Sequence, residues 1–272
     1  KKLNSKIKTV HYVAPQVWVW REGRVKKLKN FIDHILLLFK FEKKYFEKEN
    51  VSCEFVGHPL LQNKERAKID INQVIGKNKA LISVFPGSRK SEINTLMPIL
   101  LDFIRLMNQK YSDMTYVFHS TKEYSELIQS FMNESSLSNC EVISDNKIKS
   151  HILHKSIFAV AKSGTISLEI SNAKIPSVIL YKMGFINFLI VKSLVKTKYA
   201  NIINFAANEE VIPELLQSNC DSKNIFQCVS NFLDNPNKIK QQVDKVQNIL
   251  NNLKINGSSS ELASLSLNKF LQ

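Results

Sequence analysis

Two short stretches put phosphate-binding residue types at the end of a strand. In FPGSRKSEI, Phe85 to Ile93, Pro86 closes an apolar run and Gly87 lets the backbone turn or approach a ligand closely. Ser88 is placed to cap the helix that follows, and Arg89, expected in its first turn, brings a guanidinium fork for oxygens. A helix start offers unpaired N–H groups and the positive end of the dipole, so it suits phosphate. AKSGTISLE, Ala161 to Glu169, repeats the arrangement. Here Ser163 or Thr165 can cap around Gly164, and Glu169, one turn in, can accept from a ribose diol while the N–H groups face a pyrophosphate. Taken singly, each stretch is equally an ordinary βα turn with a solvated Arg or Glu. Two such turns at strand C-termini in one parallel sheet face one crevice, and that coincidence points to a nucleotide diphosphate.

Other residues give weaker signals. His58, in VGHP, ends a strand and could line a cleft, or simply pack. Asn204, and Glu214 and Gln217 in PELLQ, could contact sugar or phosphate. Trp18 and Trp20 beside Arg21, Arg24, Lys26, Lys27 and Lys29 suit a membrane or acyl surface, or else buried tryptophans with a solvated basic helix face. GFINFLIVKSLVK is apolar nearly all round, which favours core burial over membrane contact. The sequence lacks a Walker A loop, GxSxG, HExxH and a DxD pair. Helix starts and Arg89 would therefore have to hold a pyrophosphate.

The elements that must position these residues alternate strictly. KTVHYVAP, HILLLF and CEFVGHP read as strands separated by the helices REGRVKKLKNF and FEKKYFEKEN. LQNKERAKIDINQVIGKN is polar and reads as a linker with a short helix. Strands then recur at ALISVF, MTYVFHS, CEVIS, IFAVAKS and PSVILYK, with helices between them, the pattern of parallel βαβ units. In the helix after ALISVF, Pro98 costs an internal hydrogen bond, so a kink or a late start is expected. From about Asn208 the chain reads as mainly helical, EEVIPELLQ included, with a break at Gly257 before a last helix. This pattern predicts two doubly wound α/β units, the first with only three strands. The expected divisions are 1–61, 62–256 and a terminal helix at 257–272.

The 272 residues suffice for one large or two ordinary domains, and 44 % hydrophobic content marks a globular chain. A net charge of +14 could attract nucleic acid, anionic lipid or a phosphorylated substrate, and is weakly diagnostic. Cys53, Cys140, Cys220 and Cys228 form no CxxC or metal-type spacing and read as free thiols in a reducing cytosol. No run approaches the roughly 18 apolar residues of a membrane span. KKLNSKIK leads straight into a strand, with no signal peptide, and the absence of an initial Met suggests a fragment.

VHYVAPQVWVWREGRVKKL, FEKKYFEKENVSCEFVGHPL, FPGSRKSEI, AKSGTISLE and YKMGFINFLIVKSLVKTKYANIINFAANEEVIPELLQ occur in an order and spacing that resemble lipid-A-disaccharide synthases. The resemblance covers nearly the whole chain. It implies a glycosyltransferase B type α/β fold, with an incomplete N-terminal Rossmann-like unit and a complete C-terminal donor domain. It implies an inverting, metal-free and cofactor-free enzyme of a Gram-negative bacterium, transferring 2,3-diacylglucosamine from UDP-2,3-diacylglucosamine to lipid X, with UDP as co-product. Under it, Gly87, Ser88 and Arg89 would meet the UDP pyrophosphate, Ser163, Gly164 and Thr165 would cradle phosphate, and Glu169 would hold the ribose. Asn204, Gln217 and His58 would complete the donor pocket. Ile203 stands where proline is usual, Lys198 where an acidic residue often occurs, and Asn208 where glycine is common.

The resembled family also opens with a glycine-rich turn and a further βα region, roughly 100 residues of a doubly wound domain, that supplies the expected general base. The chain alone is therefore expected to have little transferase activity, as a split subunit, a truncated product or a degraded copy. Expected partners are the two lipid substrates, UDP, the cytoplasmic face of the inner membrane, an N-terminal companion chain and a second copy of this chain, but not nucleic acid. A non-catalytic UDP-sugar-binding module and a UDP-sugar epimerase are the alternatives.

Overall fold

The structure, a computed structural model, describes residues 6–20, 23–62, 80–184, 188 and 197–272. They fall in two compact units: one holds the described residues up to 62 together with Ile249–Gln272, and the other holds 80–184 and Tyr199–Asn248. The expected linker helix and GFINFLIVKSLVK lie almost wholly outside the described residues, as does Arg21.

In the first unit, β1 (Val10–Tyr12), β2 (His34–Leu37) and β3 (Ser52–Phe55) form a parallel sheet in that order. Short helices α1 (Val17–Trp20), α2 (Arg24–Leu28) and α3 (Lys43–Glu47) connect them. Val17, Val25, Ile35, Leu37, Phe46 and Val51 make its core. β1 lies at one edge of this sheet, and its Val10 and Tyr12 and the following Val13 are exposed.

The second unit carries the site. Its strands are β4 (Ala80–Phe85), β5 (Met114–His119), β6 (Cys140–Ile143), β7 (Phe158–Lys162), β8 (Ser177–Tyr181) and β9 (Glu214–Leu216). All pair in parallel, in the order β6-β5-β4-β7-β8-β9. The helices are α4 (Lys90–Lys110), α5 (Ser125–Ser135), α6 (Asn146–Lys155), α7 (Ile166–Asn172), α8 (Ile202–Ala207), α9 (Ser222–Leu233) and α10 (Pro236–Leu253), the last of which ends in the first unit. A final helix, α11 (Ser259–Leu271), belongs to the first unit, where Ser266 and Phe270 meet His34 of β2.

Strand side chains alternate between faces, so one strand serves two cores. Ile82, Val84, Tyr116 and Phe118 pack with Leu100, Ile104 and Met107 of α4 and with Ile225 and Val229 of α9. Leu81 and Val117, one residue out of phase, pack with Ile143 and with Ile152 of α6. Burial on both faces is why these strands read as continuous apolar runs.

Three details differ from expectation. EEVIPELLQ is not helical: Glu214–Leu216 is the edge strand β9, paired to β8, because a neighbouring strand edge supplies the hydrogen bonds that local propensity alone does not. α4 begins at Lys90 and runs through Pro98 rather than starting late. Trp18 is a core residue with 8 % exposure and edge-on contact to Phe41, not a membrane or acyl surface residue.

Candidate functional site

β4 is the first strand of its sheet in sequence and sits in the middle, with β5 on one side and β7 on the other. The chain therefore winds outward in opposite directions from the β4/β7 pair. At such a switch point the turns beyond the strand C-termini part and leave a crevice. The register sets Phe85 opposite Ala161, which brings the Pro86–Arg89 turn beside Lys162–Thr165.

The first turn is built by backbone geometry. Gly87 has φ +124°, and a Cβ there would lie 2.7 Å from the Cβ and Oε2 of Glu92. Glycine is required for both reasons. Ser88 does not cap α4 as expected; the N-cap is Arg89, in extended conformation, with no side-chain cap. Instead the Ser88 N–H donates to Glu92 Oε2 at 3.1 Å. Glu92 also pairs with Arg89 Nη1 at 3.4 Å and Lys162 Nζ at 2.7 Å. Burial pushes its carboxyl up, but hydrogen bonds from Lys162 and Ser88 and the charges of Lys162 and Arg89 outweigh burial and hold it below the ordinary range. Arg89 itself is exposed.

Beneath this turn, Phe85 stacks on His119 at 4.3 Å. Ser156 Oγ donates to the Ile152 carbonyl and so accepts from Ser83 Oγ at 2.7 Å. Ser83 then accepts from His119 Nε2–H at 2.9 Å, which leaves Nδ1 unprotonated and without a partner among the described residues. Burial, aided by the Lys149 charge, pushes the imidazole down to about 3.

The second turn is braced differently. Ser163, expected at the phosphate, spends its N–H on the Leu180 carbonyl at 2.8 Å and its hydroxyl on the Ala200 carbonyl at 2.7 Å. Gly164 and Thr165 are exposed, and Thr165 stands at the N-cap of α7 without a side-chain cap. Glu169, half-buried in α7, makes no side-chain hydrogen bond or ion pair among the described residues, so its oxygens are open to a diol.

Asn204 and Gln217 take different roles. Asn204 is fully buried and makes four hydrogen bonds, donating to Ile212 O and Glu214 Oε1 and accepting from the Val211 and Ile212 N–H groups. It shapes the loop and has no capacity left for a ligand. Glu214 accepts from the Ala200 and Asn201 N–H groups, and burial raises its carboxyl despite these bonds. Gln217 follows β9 with φ +50°, its Oε1 accepting from Met183 N–H. Its buried Nε2 has no partner among the described residues, and the same is true of Asn201 Nδ2. Gln217 thus combines a positive φ with an orphaned buried donor at a strand C-terminus.

His58 belongs to the first unit. Its Nδ1 accepts from Leu60 N–H at 3.1 Å, burial lowers its pKa, and it lines a cavity of about 370 Å³ with Lys254, Ile255 and Ser258. Two functional candidates escaped the sequence reading, Lys162 and Glu92. Both stood inside the quoted motifs, and the signal was a basic residue at a strand end with an acidic one in the facing helix turn.

These features define an α/β chain of the glycosyltransferase B type, and solved structures share its fold. UDP-GlcNAc 2-epimerase from Neisseria meningitidis bound to UDP-GlcNAc superposes with TM-score 0.61 at 15 % identity, over 87 % of this chain and 62 % of that one. An S. aureus MnaA–UDP structure gives 0.56 at 16 % identity, over 84 % and 62 %. The lipid-A-disaccharide synthetase family model matches residues 1–267, and the chain belongs to that family. It is 34 % identical to lipid-A-disaccharide synthase of Rickettsia prowazekii, over 93 % of this chain and 67 % of the relative. It is likewise 34 % identical to that of Coxiella burnetii, over 88 % and 64 %. The chain thus spans about two thirds of the relatives' length.

Proposed function

We propose that this chain is the donor-binding part of a hexosyltransferase that moves 2,3-diacylglucosamine from UDP to lipid X, yielding the lipid A disaccharide phosphate and UDP. The observation that carries the reading is the placement of both glycine turns on adjacent strands at the switch point of the second unit. The fold likeness to UDP-sugar enzymes and the family membership support the same donor class.

In this reading Gly87 permits close approach, and the Ser88 N–H and the Arg89 guanidinium take the pyrophosphate. The Gly164 and Thr165 N–H groups receive the second phosphate, while Ser163 braces their turn. Glu169 accepts from the ribose hydroxyls. The Gln217 amide donates to the sugar side of the donor, and Asn204 holds that loop in shape. Charge developing on the leaving UDP is stabilised by fixed N–H dipoles and Arg89. Transfer also needs a general base for the acceptor hydroxyl, and none of these residues takes that role. In this reading the first unit is acceptor-side and the second is the donor domain, with the end of α10 and the terminal helix α11 belonging to the first.

The acyl chains of both substrates and the net charge of +14 favour peripheral attachment to the inner face of the inner membrane. Among the described residues no helix is long and apolar enough to cross a membrane. The test is a calorimetric titration of UDP into the purified chain. Saturable binding at one site is expected, and a folded chain that takes up no UDP overturns the donor-site reading.

A further inference from the structure

The carboxylate of Glu92 occupies the place of an anion. It accepts from the Ser88 N–H at 3.1 Å, and it touches cations from two different strand ends, Lys162 closing β7 at 2.7 Å and Arg89 after β4 at 3.4 Å. Its side chain is 13 % exposed and that of Lys162 is 18 % exposed, so this pair is shielded in a way that surface pairs are not. The Lys162 ammonium also lies 5.4 Å from the centre of the Tyr181 ring, which holds it over the end of β8. The N–H, the two cations and the carboxylate together form a compact knot at the junction of two turns, with one positive charge in excess.

We propose that Glu92 is a specificity-determining counter-anion: it keeps small inorganic anions off Ser88, Arg89 and Lys162, and yields these groups only to a diphosphate that brings further contacts. The inference rests on the donor-site reading for the identity of that diphosphate, and it adds Lys162 as a phosphate contact. A free anion must displace a tethered carboxylate whose effective concentration is high. A nucleoside diphosphate offsets that cost with base and ribose contacts, which inorganic pyrophosphate lacks. The same negative charge weakens the grip on UDP and so favours its release.

The experiment compares sodium pyrophosphate and UDP binding to the full chain and to Glu92→Gln, Lys162→Met and the double variant, by calorimetry at low salt. Gln keeps an acceptor for the Ser88 N–H and removes the charge. Glu92→Gln is expected to bind pyrophosphate about tenfold more tightly and UDP about threefold more tightly, shrinking the preference for UDP, since a nearby like charge costs on the order of 1 kcal/mol. Lys162→Met weakens both ligands, and in the double variant the gain from Glu92→Gln is largely lost, which is the coupling expected of touching groups. A merely structural glutamate gives the opposite result: unchanged, weaker or undetectable pyrophosphate binding by folded Glu92→Gln overturns the inference. Should that variant unfold, Glu92→Asp, one methylene too short to span both partners, must still raise pyrophosphate affinity. If pyrophosphate responds as expected while UDP binds no better than pyrophosphate in the wild type, the nucleotide reading falls and the counter-anion stands.

Discussion

At the end of β4 a carboxylate and two cations hold the glycine turn, whereas at the end of β7 the corresponding turn is held by neutral hydrogen bonds. Ser163 ties the second turn to Ala200, and the buried Asn204 and Glu214 tie that segment to the base of β9. The first turn is charged and its Arg89 is exposed; the second leaves Gly164 and Thr165 exposed and the Glu169 carboxylate without a side-chain partner among the described residues. The difference suits two tasks. Under the proposed donor-site reading, a charged turn can exchange an internal anion for a ligand's, while the hydrogen-bonded brace keeps Glu169 in place without competing for it.

The largest effect is expected from the neutral brace. Asn204→Ala strands the Ile212 N–H in the interior and removes the donors to the Ile212 carbonyl and Glu214 Oε1, and should lower stability by about 3 kcal/mol, read by chemical denaturation. A loss below about 1 kcal/mol, the size of one exposed bond, shows that this brace is dispensable. Arg89→Ala removes a charge-assisted contact at the other turn and should weaken UDP binding about 30-fold with little change in stability. Equal losses for UDP and for uridine break the assignment of that turn to phosphate.

His119, stacked beneath the charged turn, makes the two sides differ in acid. Its folded pKa of about 3 lies below the ordinary 6.5, so the unfolded chain binds the extra proton between those values. The stabilisation is complete above the unfolded value and is lost as pH falls through the window toward about 3. Between pH 7 and pH 5 the loss from this group should be about 2 kcal/mol, and His119→Gln should flatten it. An unchanged slope in that variant assigns the acid sensitivity elsewhere. The smallest effect is expected at Glu169. Glu169→Ala should weaken UDP about tenfold and leave 2′,3′-dideoxy-UDP unaffected, and equal loss for both nucleotides removes the ribose contact.

Much of the fold was legible in the sequence because its strands are buried on both faces, and such strands stand out as apolar runs between helical periods. ALISVF and IFAVAKS, with a glycine after each, announced the crevice from local chemistry alone. β9 was missed because its three residues follow Glu209, Glu210 and Pro213, and what makes them a strand is the open edge of β8. Trp18 was open to two readings, since a tryptophan beside basic residues has the same sequence whether it meets lipid or Phe41.

By itself the sequence determined the order of most strands and helices, the turn after β4 that only glycine can make, and the family pattern. These are local or statistical properties, set by residue type and spacing. Only the tertiary structure decided that Glu92 meets Lys162, that Ser163 and Asn204 are spent on the chain itself, and that the buried Gln217 Nε2 has no partner among the described residues. Those outcomes depend on which strand ends become neighbours, and parallel pairing joins residues far apart in the chain through contacts that no local window contains.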